Sequence, residues 1–373
     1  MERYPGWNLG LASRVKAVAL RGAVGAALGL SGRRRGVRSA SVEGYHRPTG
    51  SLYWNESYYF NFTDPVKKMG GFTRIGILPN QQTSIGLLCI YLEDGGIDFL
   101  VQSEECEDMR EEGEALSVGL LAYEMVRPLW EWKVRFSGAM LHFAKPAMLL
   151  EFLRRKDASG LCSFHDVEVD LSFLGWSPCH DFKNMDARAF ADRFVAKKSS
   201  FKDLRRISKI ASEHYEQVGS WKGSIRVEGM THHIHGTGHR DHSWGQRDWK
   251  APSTWTWLTS QFDGALGFNV SRVVIGSMDV VNGFVSRDGN NYPLRRVHLE
   301  TEFEPDGLTQ KQILIRAMDS SGWEMEVEAE ALCVVPLVHE EKGRRTLINE
   351  AFTEYRWDGR TAYGISEYLH QVT

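Results

Sequence analysis

Large apolar and charged residues alternate along Trp130-Glu-Trp-Lys-Val-Arg-Phe136. The same two-residue period runs through Trp323-Glu-Met-Glu-Val-Glu-Ala-Glu-Ala331. A strand with this pattern buries one face and exposes the other, because successive side chains point to opposite sides of a sheet. Both segments therefore predict half-buried β-strands.

Weaker patterns of the same kind predict strands throughout the chain after about residue 50. Turn signals such as Asp94-Gly95-Gly96, Asp263-Gly264 and Asp358-Gly359 separate these segments. Many short strands at this spacing predict a mainly β protein built of barrels or sandwiches, not βαβ units. The additional strands are predicted at 73–78, 84–92, 97–102, 116–126, 167–173, 224–235, 254–262, 266–275, 278–286, 296–304, 311–318 and 352–357.

One stretch departs from this pattern. Between 186 and 216, apolar residues recur with the helical period. We predict a helical connector there between two β domains, an N-terminal one at 43–185 and a C-terminal one at 217–373. Basic residues cover the other face of the connector, which is typical of a solvated helix face, and contact with an anionic surface is the alternative. A shorter helix is predicted at 144–156.

Residues 1–42 form a basic N-terminal extension. They hold eight Lys and Arg residues against one acid, Glu2. This composition is typical of a mitochondrial transit peptide, and an ordinary surface extension is the alternative. The predicted location is therefore the cytoplasm, or the mitochondrion if the segment is a transit peptide.

Composition excludes several classes of function. The 373 residues are 42% apolar and 25% charged, which is typical of a globular protein. The net charge of −3 gives no global reason to bind nucleic acid. Five scattered cysteines argue against a disulfide scaffold, and no apolar run is long enough to predict a membrane-spanning helix. Nucleotide and hydrolase motifs such as GxGxxG after a strand, GxxxxGK[ST] and GxSxG are absent, so no cofactor is predicted.

The densest polar stretch is Thr231-His-His-Ile-His-Gly-Thr-Gly-His-Arg-Asp-His-Ser-Trp-Gly-Gln-Arg-Asp-Trp249, with five of the 13 histidines. Charged groups beside two tryptophans predict a partly buried polar network that faces an aromatic cavity. Asp241 and Trp244 have opposite strand parity. A bend at Gly238 or Gly245 is therefore expected to bring both side chains to one cavity.

The segment Gly238-His-Arg-Asp-His-Ser-Trp-Gly-Gln-Arg-Asp-Trp249 resembles the G-x-R-D-H-S-W-G-x-R-x-W signature of relatives of carotenoid 1,2-hydratase (hydroxyneurosporene synthase). That lipocalin-like superfamily also includes AttH-type proteins and fungal cyclases that accept polyenes. Further matches are Trp54–Phe62, His214–Gln217 and Tyr363–Tyr368. The resemblance implies two lipocalin-like β-barrel or sandwich domains, with a hydrophobic ligand near their junction. The hydratase pattern has Asn-Trp where this chain has Ser243-Trp244.

Protonation of an apolar alkene needs an acid and aromatic faces that stabilise the resulting cation. Asp241 is the predicted acid, with His242 or His239 to orient it or relay protons. Glu56, within an aromatic segment, is a second candidate catalytic carboxylate, and Glu354 and Glu367 are weaker ones. An ion pair between Asp241 and an arginine would instead make the segment a structural clamp. The candidate substrate-binding residues are Trp244, Trp249, Trp255, Trp257, Arg240, Arg247 and Tyr58.

The sequence therefore predicts a protein that binds a hydrophobic isoprenoid, polyketide or lipid-like molecule and catalyses its hydration, isomerisation or cyclisation by acid–base chemistry. One alternative is a non-catalytic carrier or sensor of hydrophobic ligands. A further alternative is a zinc hydrolase that uses the histidine cluster, since His233 and His235 share a face of an extended strand.

Overall fold

A computed structural model describes residues 18–19, 40–106, 116–155, 160–196, 213–247, 251–264, 266–341 and 343–372. Most of the basic N-terminal extension, including its candidate targeting segment, lies outside these residues.

The described chain is almost entirely β-structure, as the alternating patterns predict. Helix α1 (Ala147–Arg154) falls within the helix predicted at 144–156, and helix α2 (Ala187–Ala196) lies in the predicted connector. The strands are β1 (Trp54–Asp64), β2 (Met69–Leu78), β3 (Thr83–Tyr91), β4 (Ile97–Glu105), β5 (Leu116–Val118), β6 (Leu121–Arg127), β7 (Glu131–Phe143), β8 (Ser163–Gly175), β9 (His180–Asp181), β10 (Glu213–Val227), β11 (Met230–Gln246), β12 (Thr254–Phe262), β13 (Leu266–Ile275), β14 (Met278–Arg287), β15 (Asn290–Phe303), β16 (Gln310–Asp319), β17 (Glu324–Glu341), β18 (Arg344–Trp357) and β19 (Arg360–Val372).

The first sheet closes on itself. Its order is β4-β3-β2-β1-β11-β10-β8-β7, and β4 pairs back with β7 to complete the ring. This seam is short, because it consists of the three pairs Ile97↔Phe143, Asp98↔His142 and Phe99↔Leu141. Alternate residues of the ring fill its interior with aromatic side chains that include Phe60 and Trp221. The first half of the molecule is therefore a barrel with one weak seam.

The second sheet is a closed barrel of β12 to β19 in sequence order. Its interior holds Leu258, Phe262, Phe268 and Tyr355, which lie at alternate positions of their strands. Short turns with left-handed Asp-Gly pairs, such as Asp358-Gly359, join the neighbouring strands. The predicted mainly β fold class with two lipocalin-like β units is confirmed. The helix expected to connect the two units instead lies between β9 and β10, which both belong to the first sheet.

The division of strands between the barrels differs from the sequence-based boundary. Residues from Glu213 onward form β10, although the helical connector was expected to continue to 216. β10 and β11 complete the first ring, and the change of sheet falls between Gln246 and Thr254. Closing the first ring requires these two long strands, and that requirement is invisible in the local pattern. The rest of the predicted connector, 197–212, lies outside the described residues.

The barrels pack against each other through their outer faces. Tyr91 of β3 donates a hydrogen bond from its hydroxyl to the Glu350 carbonyl of β18 at 3.0 Å. Thr63 of β1 donates likewise to the Tyr363 carbonyl at 3.2 Å. The apolar cluster at this junction draws on both barrels and includes Phe72, Cys89, Tyr91, Val335, Phe352 and Ile365. Within the described part of the chain, no helix is long and apolar enough to cross a membrane.

Candidate functional site

Strand β11 carries most of the predicted site residues, and it lies between β1 and β10. Its register is continuous with both neighbours from Thr237 to Trp244. The bend that would bring Asp241 and Trp244 to one cavity therefore does not occur. Consecutive side chains of β11 alternate between the interior of the first barrel and the junction with the second.

The inner face brings His242 and Glu56 together. His242 Nε2 is hydrogen-bonded to Glu56 Oε1 at 2.6 Å, and its Nδ1 to the Tyr215 hydroxyl at 2.9 Å. The Tyr58 ring stacks on the His242 imidazole with centroids 4.0 Å apart. Burial raises the pKa of Glu56 well above its usual value. Glu56 and His242, which were separate candidates for catalysis, thus form a buried network inside the first barrel.

Trp244 lies at the end of this network. The His46 ring stacks on Trp244 with centroids 3.7 Å apart, and His46 Nδ1 contacts Glu56 Oε1 at 2.9 Å. His46 is partly exposed, whereas Glu56 and His242 are fully buried. The His46 side chain therefore separates the buried carboxylate from solvent.

Arg240 is a structural element of the barrel interior. Its guanidinium donates from Nη1 to Glu43 Oε1 at 2.6 Å and from Nε to Gln217 Oε1 at 2.7 Å. Trp132 Nε1 also donates to Glu43 Oε1, at 2.9 Å. An ion pair was expected between Asp241 and an arginine as a structural clamp. Such an ion pair is present, but Arg240 forms it with Glu43 and not with Asp241.

The outer face of β11 presents His239 and Asp241 to the junction. His239 Nε2 is hydrogen-bonded to Glu216 Oε2 at 2.7 Å, and Trp257 Nε1 donates to Glu216 Oε1 at 2.8 Å. His214 Nε2 lies 3.2 Å from Glu216 Oε1 and in contact with Asp241 Oδ2. These residues form a charged network between the two barrels.

The pKa values in this network favour the charged forms of Glu216 and His214 at neutral pH. Burial opposes ionisation of Glu216, but His239 and His214 outweigh it and lower the Glu216 pKa to about 2. Burial also opposes the charge on His214, but Asp241 and Glu216 raise its pKa to about 9. At neutral pH Asp241 therefore faces a histidine cation, since His214 is protonated there.

A second pair of carboxyl groups faces this network from the second barrel. Glu350 and Glu367 are directly opposite each other on β18 and β19, and their side chains share a hydrogen bond. Burial, followed by the Glu367 charge, raises the pKa of Glu350 well above normal. Burial likewise raises the pKa of Glu367 to about 7. The pair therefore holds a proton at neutral pH, as closely spaced buried carboxyls do.

The surroundings of Glu367 are aromatic and partly open. Trp257 lies opposite Glu367 across the β12–β19 pair, and the Tyr59 ring meets the Trp257 ring edge-on at 5.7 Å. Tyr59 is opposite Asp241 across the β1–β11 pair. Tyr59, Asp241, Trp255 and Glu367 are half-buried, unlike the fully buried Glu56 network.

Two arginines complete the junction. Arg247 Nη2 donates to Ser243 Oγ at 2.6 Å, and its charge acts on both Asp241 and Glu367. Arg74 donates from Nε to Ser57 Oγ at 2.8 Å. Burial and the Arg247 charge lower the Arg74 pKa to about 10. A polar group of a ligand at this position would meet both acids and guanidinium groups.

The structure thus divides the predicted set between two faces of one strand. Glu56, Tyr58, Arg240, His242 and Trp244 lie toward the first barrel's interior. Trp249 lies outside the described residues. A surface groove elsewhere, between α2 and strands β14 and β15, includes none of the predicted site residues. The junction side holds His239, Asp241, Arg247, Trp255 and Trp257.

Three groups of histidine and acidic side chains have ligand atoms within 4.8 Å of one another among the described residues. None contains His232, His233 or His235, and the last two are exposed on β11. The histidine cluster of the zinc hydrolase alternative therefore does not converge. The three groups are His46, Glu56 and His242; Asp98, His142 and His165; and His214, Glu216 and Asp241.

Several residues of these networks were not predicted. Glu43, Glu216 and His214 lie far from the Arg-Asp-His-Ser-Trp segment in sequence, although His214-Tyr-Glu-Gln217 formed part of the resemblance. Glu350 has no local signal, because only the β18–β19 register places it beside Glu367.

Solved structures share this architecture. An AttH-like protein from Nitrosomonas europaea superposes with a TM-score of 0.58 at 11% identity, covering 91% of this chain and 98% of that one. Kievitone hydratase from Nectria haematococca superposes with a TM-score of 0.52 at 11% identity, covering 90% and 93%. The chain therefore shares the fold of these two proteins. The chain belongs to the family described as domain of unknown function DUF7064, which matches residues 39–372. No curated protein matches it in sequence.

Proposed function

We propose that this protein binds a hydrophobic isoprenoid, polyketide or lipid-like molecule at the junction of its barrels and protonates a carbon–carbon double bond of that molecule. Hydration, isomerisation and cyclisation can each start from that step. The observation that carries the proposal is Glu367, a half-buried carboxyl whose pKa is about 7 and which faces Trp257. Kievitone hydratase, which has the same fold, is by its name a hydratase.

The proposed step starts from protonated Glu367. The π electrons of the alkene form a new C–H bond, the carboxyl O–H bond breaks, and a carbocation remains beside the indole of Trp257. Water then adds and loses a proton, or a neighbouring carbon loses a proton to the Glu367 carboxylate. Glu350 replenishes or stabilises the proton through the shared hydrogen bond. The acid predicted at Asp241 is thus moved to Glu367, and Asp241 serves to hold His214 in place.

Carotenoid 1,2-hydratase activity, which the sequence resemblance suggested, is one reaction of this proposed class. The aromatic side chains around Glu367 suit an extended unsaturated ligand of that kind. Arg74 and Arg247 would accommodate an oxygen-bearing end of the ligand.

The test is incorporation of solvent deuterium. The full chain is incubated in D2O with farnesol, as an isoprenoid alkene, and with retinol, as a polyene, and the products are examined by mass spectrometry. Glu367→Gln should reduce carbon-bound deuterium by about 100-fold or more, which is the usual range for a general acid. Activity of the unsubstituted protein should fall as the pH rises through about 7, because Glu367 then loses its proton.

Glu354→Gln is the matched control. Glu354 is on the same strand as Glu350 but pairs with Arg356 at the surface, so its variant should retain activity. Binding of either probe without deuterium incorporation would contradict the catalytic proposal and favour a carrier. Equal activity of the Glu367 and Glu354 variants would assign the chemistry to another group.

A further inference from the structure

A cluster of two histidines and an aspartate lies at one end of the first barrel, beside the short seam between β4 and β7. Asp98 is on β4, His142 on β7 and His165 on β8. His142 Nδ1 lies 3.0 Å from Asp98 Oδ1, and His165 Nδ1 lies 2.9 Å from the same oxygen. The two imidazole rings stack with centroids 3.9 Å apart. Three adjacent strands thus direct three potential ligands at one point.

We infer that Asp98, His142 and His165 bind a divalent transition-metal ion. Two imidazoles and one carboxylate form a donor set that suits ions such as Zn²⁺, Fe²⁺ and Mn²⁺. Metal–ligand bonds of about 2.1 Å place neighbouring ligands of an octahedron about 3.0 Å apart. The observed nitrogen–oxygen separations agree with that spacing.

Asp98 differs from Glu56 and Glu216, the fully buried carboxylates of the other two groups. Its side chain is fully buried, yet Oδ2 accepts no hydrogen bond within the described structure. Both oxygens of Glu56 are hydrogen-bonded, and so are both oxygens of Glu216. A buried carboxylate oxygen without a partner is costly unless a cation or another donor satisfies it. This observation points to the Asp98 group rather than to the other two.

The location permits entry of an ion and gives it a structural role. The side chains of His142 and His165 are 16% and 22% exposed, so the group opens to solvent at the barrel end. Asp98 and His142 form the middle pair of the three that join β4 to β7. An ion held by β4, β7 and β8 would therefore fasten the weakest seam of the ring. This site does not depend on the proposed alkene chemistry at the junction.

The test uses the full chain, stripped of metal with a chelator and then titrated with Co²⁺ and Zn²⁺. We expect one ion per chain, a Co²⁺ absorption spectrum typical of nitrogen and oxygen ligands, and a higher Tm when Zn²⁺ is present. His142→Ala and His165→Ala should each weaken Zn²⁺ binding by at least about 100-fold. Both variants should lose the Zn²⁺-dependent rise in Tm.

Two controls separate this site from other histidines. His235→Ala, at an exposed position of β11, should bind the ion as the unsubstituted chain does. His242→Gln removes a member of the Glu56 group and should also leave the affinity unchanged. If His142→Ala does not fold, His165→Ala alone tests the inference. The His165 ring is the more exposed of the two, so its loss should disturb the fold less. Failure of the unsubstituted chain to bind, or unchanged binding in the His165 variant, would overturn the inference.

Discussion

At the scale of single residues, the charges on the two faces of β11 have different roles. Arg240 is buried inside the first barrel, where its guanidinium donates hydrogen bonds to the side chains of Glu43 and Gln217. Such an enclosed ion pair costs desolvation and fixes geometry more than it adds stability. Asp241, its neighbour in sequence, instead faces a protonated histidine at an accessible junction. Adjacent charged residues in one motif therefore need not share a function.

The first of three further predictions concerns His214 and pH. Its folded-state pKa of about 9 is higher than the unfolded value of about 6.5. The stabilisation is therefore complete below pH 6.5 and is lost as the pH rises through 9. The unsubstituted protein should have a higher free energy of unfolding than His214→Gln below pH 6.5. That difference should decrease by on the order of 3 kcal/mol as the pH rises through the window.

Urea unfolding at several pH values measures this difference. Glu367 also titrates in the window, but it is present in both proteins and its contribution cancels to first order. His235→Gln, at an exposed position, is the control and should follow the unsubstituted protein throughout. Parallel curves for His214→Gln and the unsubstituted protein would show that His214 is not held as a cation.

At the scale of elements, β11 can separate two networks because it packs closely against β1. A Cβ atom at Gly238 would lie 2.1 Å from the Asn61 carbonyl oxygen and 2.5 Å from Trp221 Nε1. The absence of a side chain lets the Trp221 indole donate to that carbonyl at 2.8 Å. Gly238, which begins the sequence motif, is thus required for packing and does not produce a bend.

Gly238→Ala should therefore destabilise the protein by about 1–3 kcal/mol, because the strands or the indole must move. The change can be measured by urea unfolding. Gly50→Ala is the control, since a Cβ there meets nothing within 4 Å, and it should change stability by less than about 0.5 kcal/mol. An equal effect of the two substitutions would contradict the close packing of β1 and β11.

At the scale of the whole molecule, the two barrels share an apolar junction. The Phe352 ring of the second barrel stacks on Tyr91 of the first with centroids 5.5 Å apart, and on Tyr363 at 5.2 Å. Because side chains from both barrels bury one another here, each barrel should stabilise the other. This packing also positions the Glu350–Glu367 pair against the face of β11.

Phe352→Ala should lower the free energy of unfolding by about 3–5 kcal/mol. We expect hydrogen exchange in urea to show reduced protection of β8 in the first barrel and of β13 in the second. Phe164→Ala is the control, because that ring is 70% exposed and its loss should have little effect. Loss of protection in the second barrel alone would show that the barrels unfold independently.

Much of the fold followed from local sequence periods. Strands predicted at 254–262 and 266–275 coincide with β12 and β13. The helix expected to reach 216 gives way to β10 at Glu213, because closure of the first ring recruits those residues into a strand. The candidate residues were identified by type, but their grouping was not: Asp241 and His242 lie on opposite faces of β11.

The sequence by itself determined the β-structure, the aromatic surroundings and the supply of carboxyl and imidazole groups, because alternation and residue chemistry are local properties. Only the tertiary structure decided that Glu43 pairs with Arg240, that Glu350 meets Glu367, and that Asp98 meets two histidines. These contacts depend on how strands are registered when each sheet closes and on how the closed barrels face each other. Ring closure joins residues far apart in the chain, and no short-range pattern encodes it.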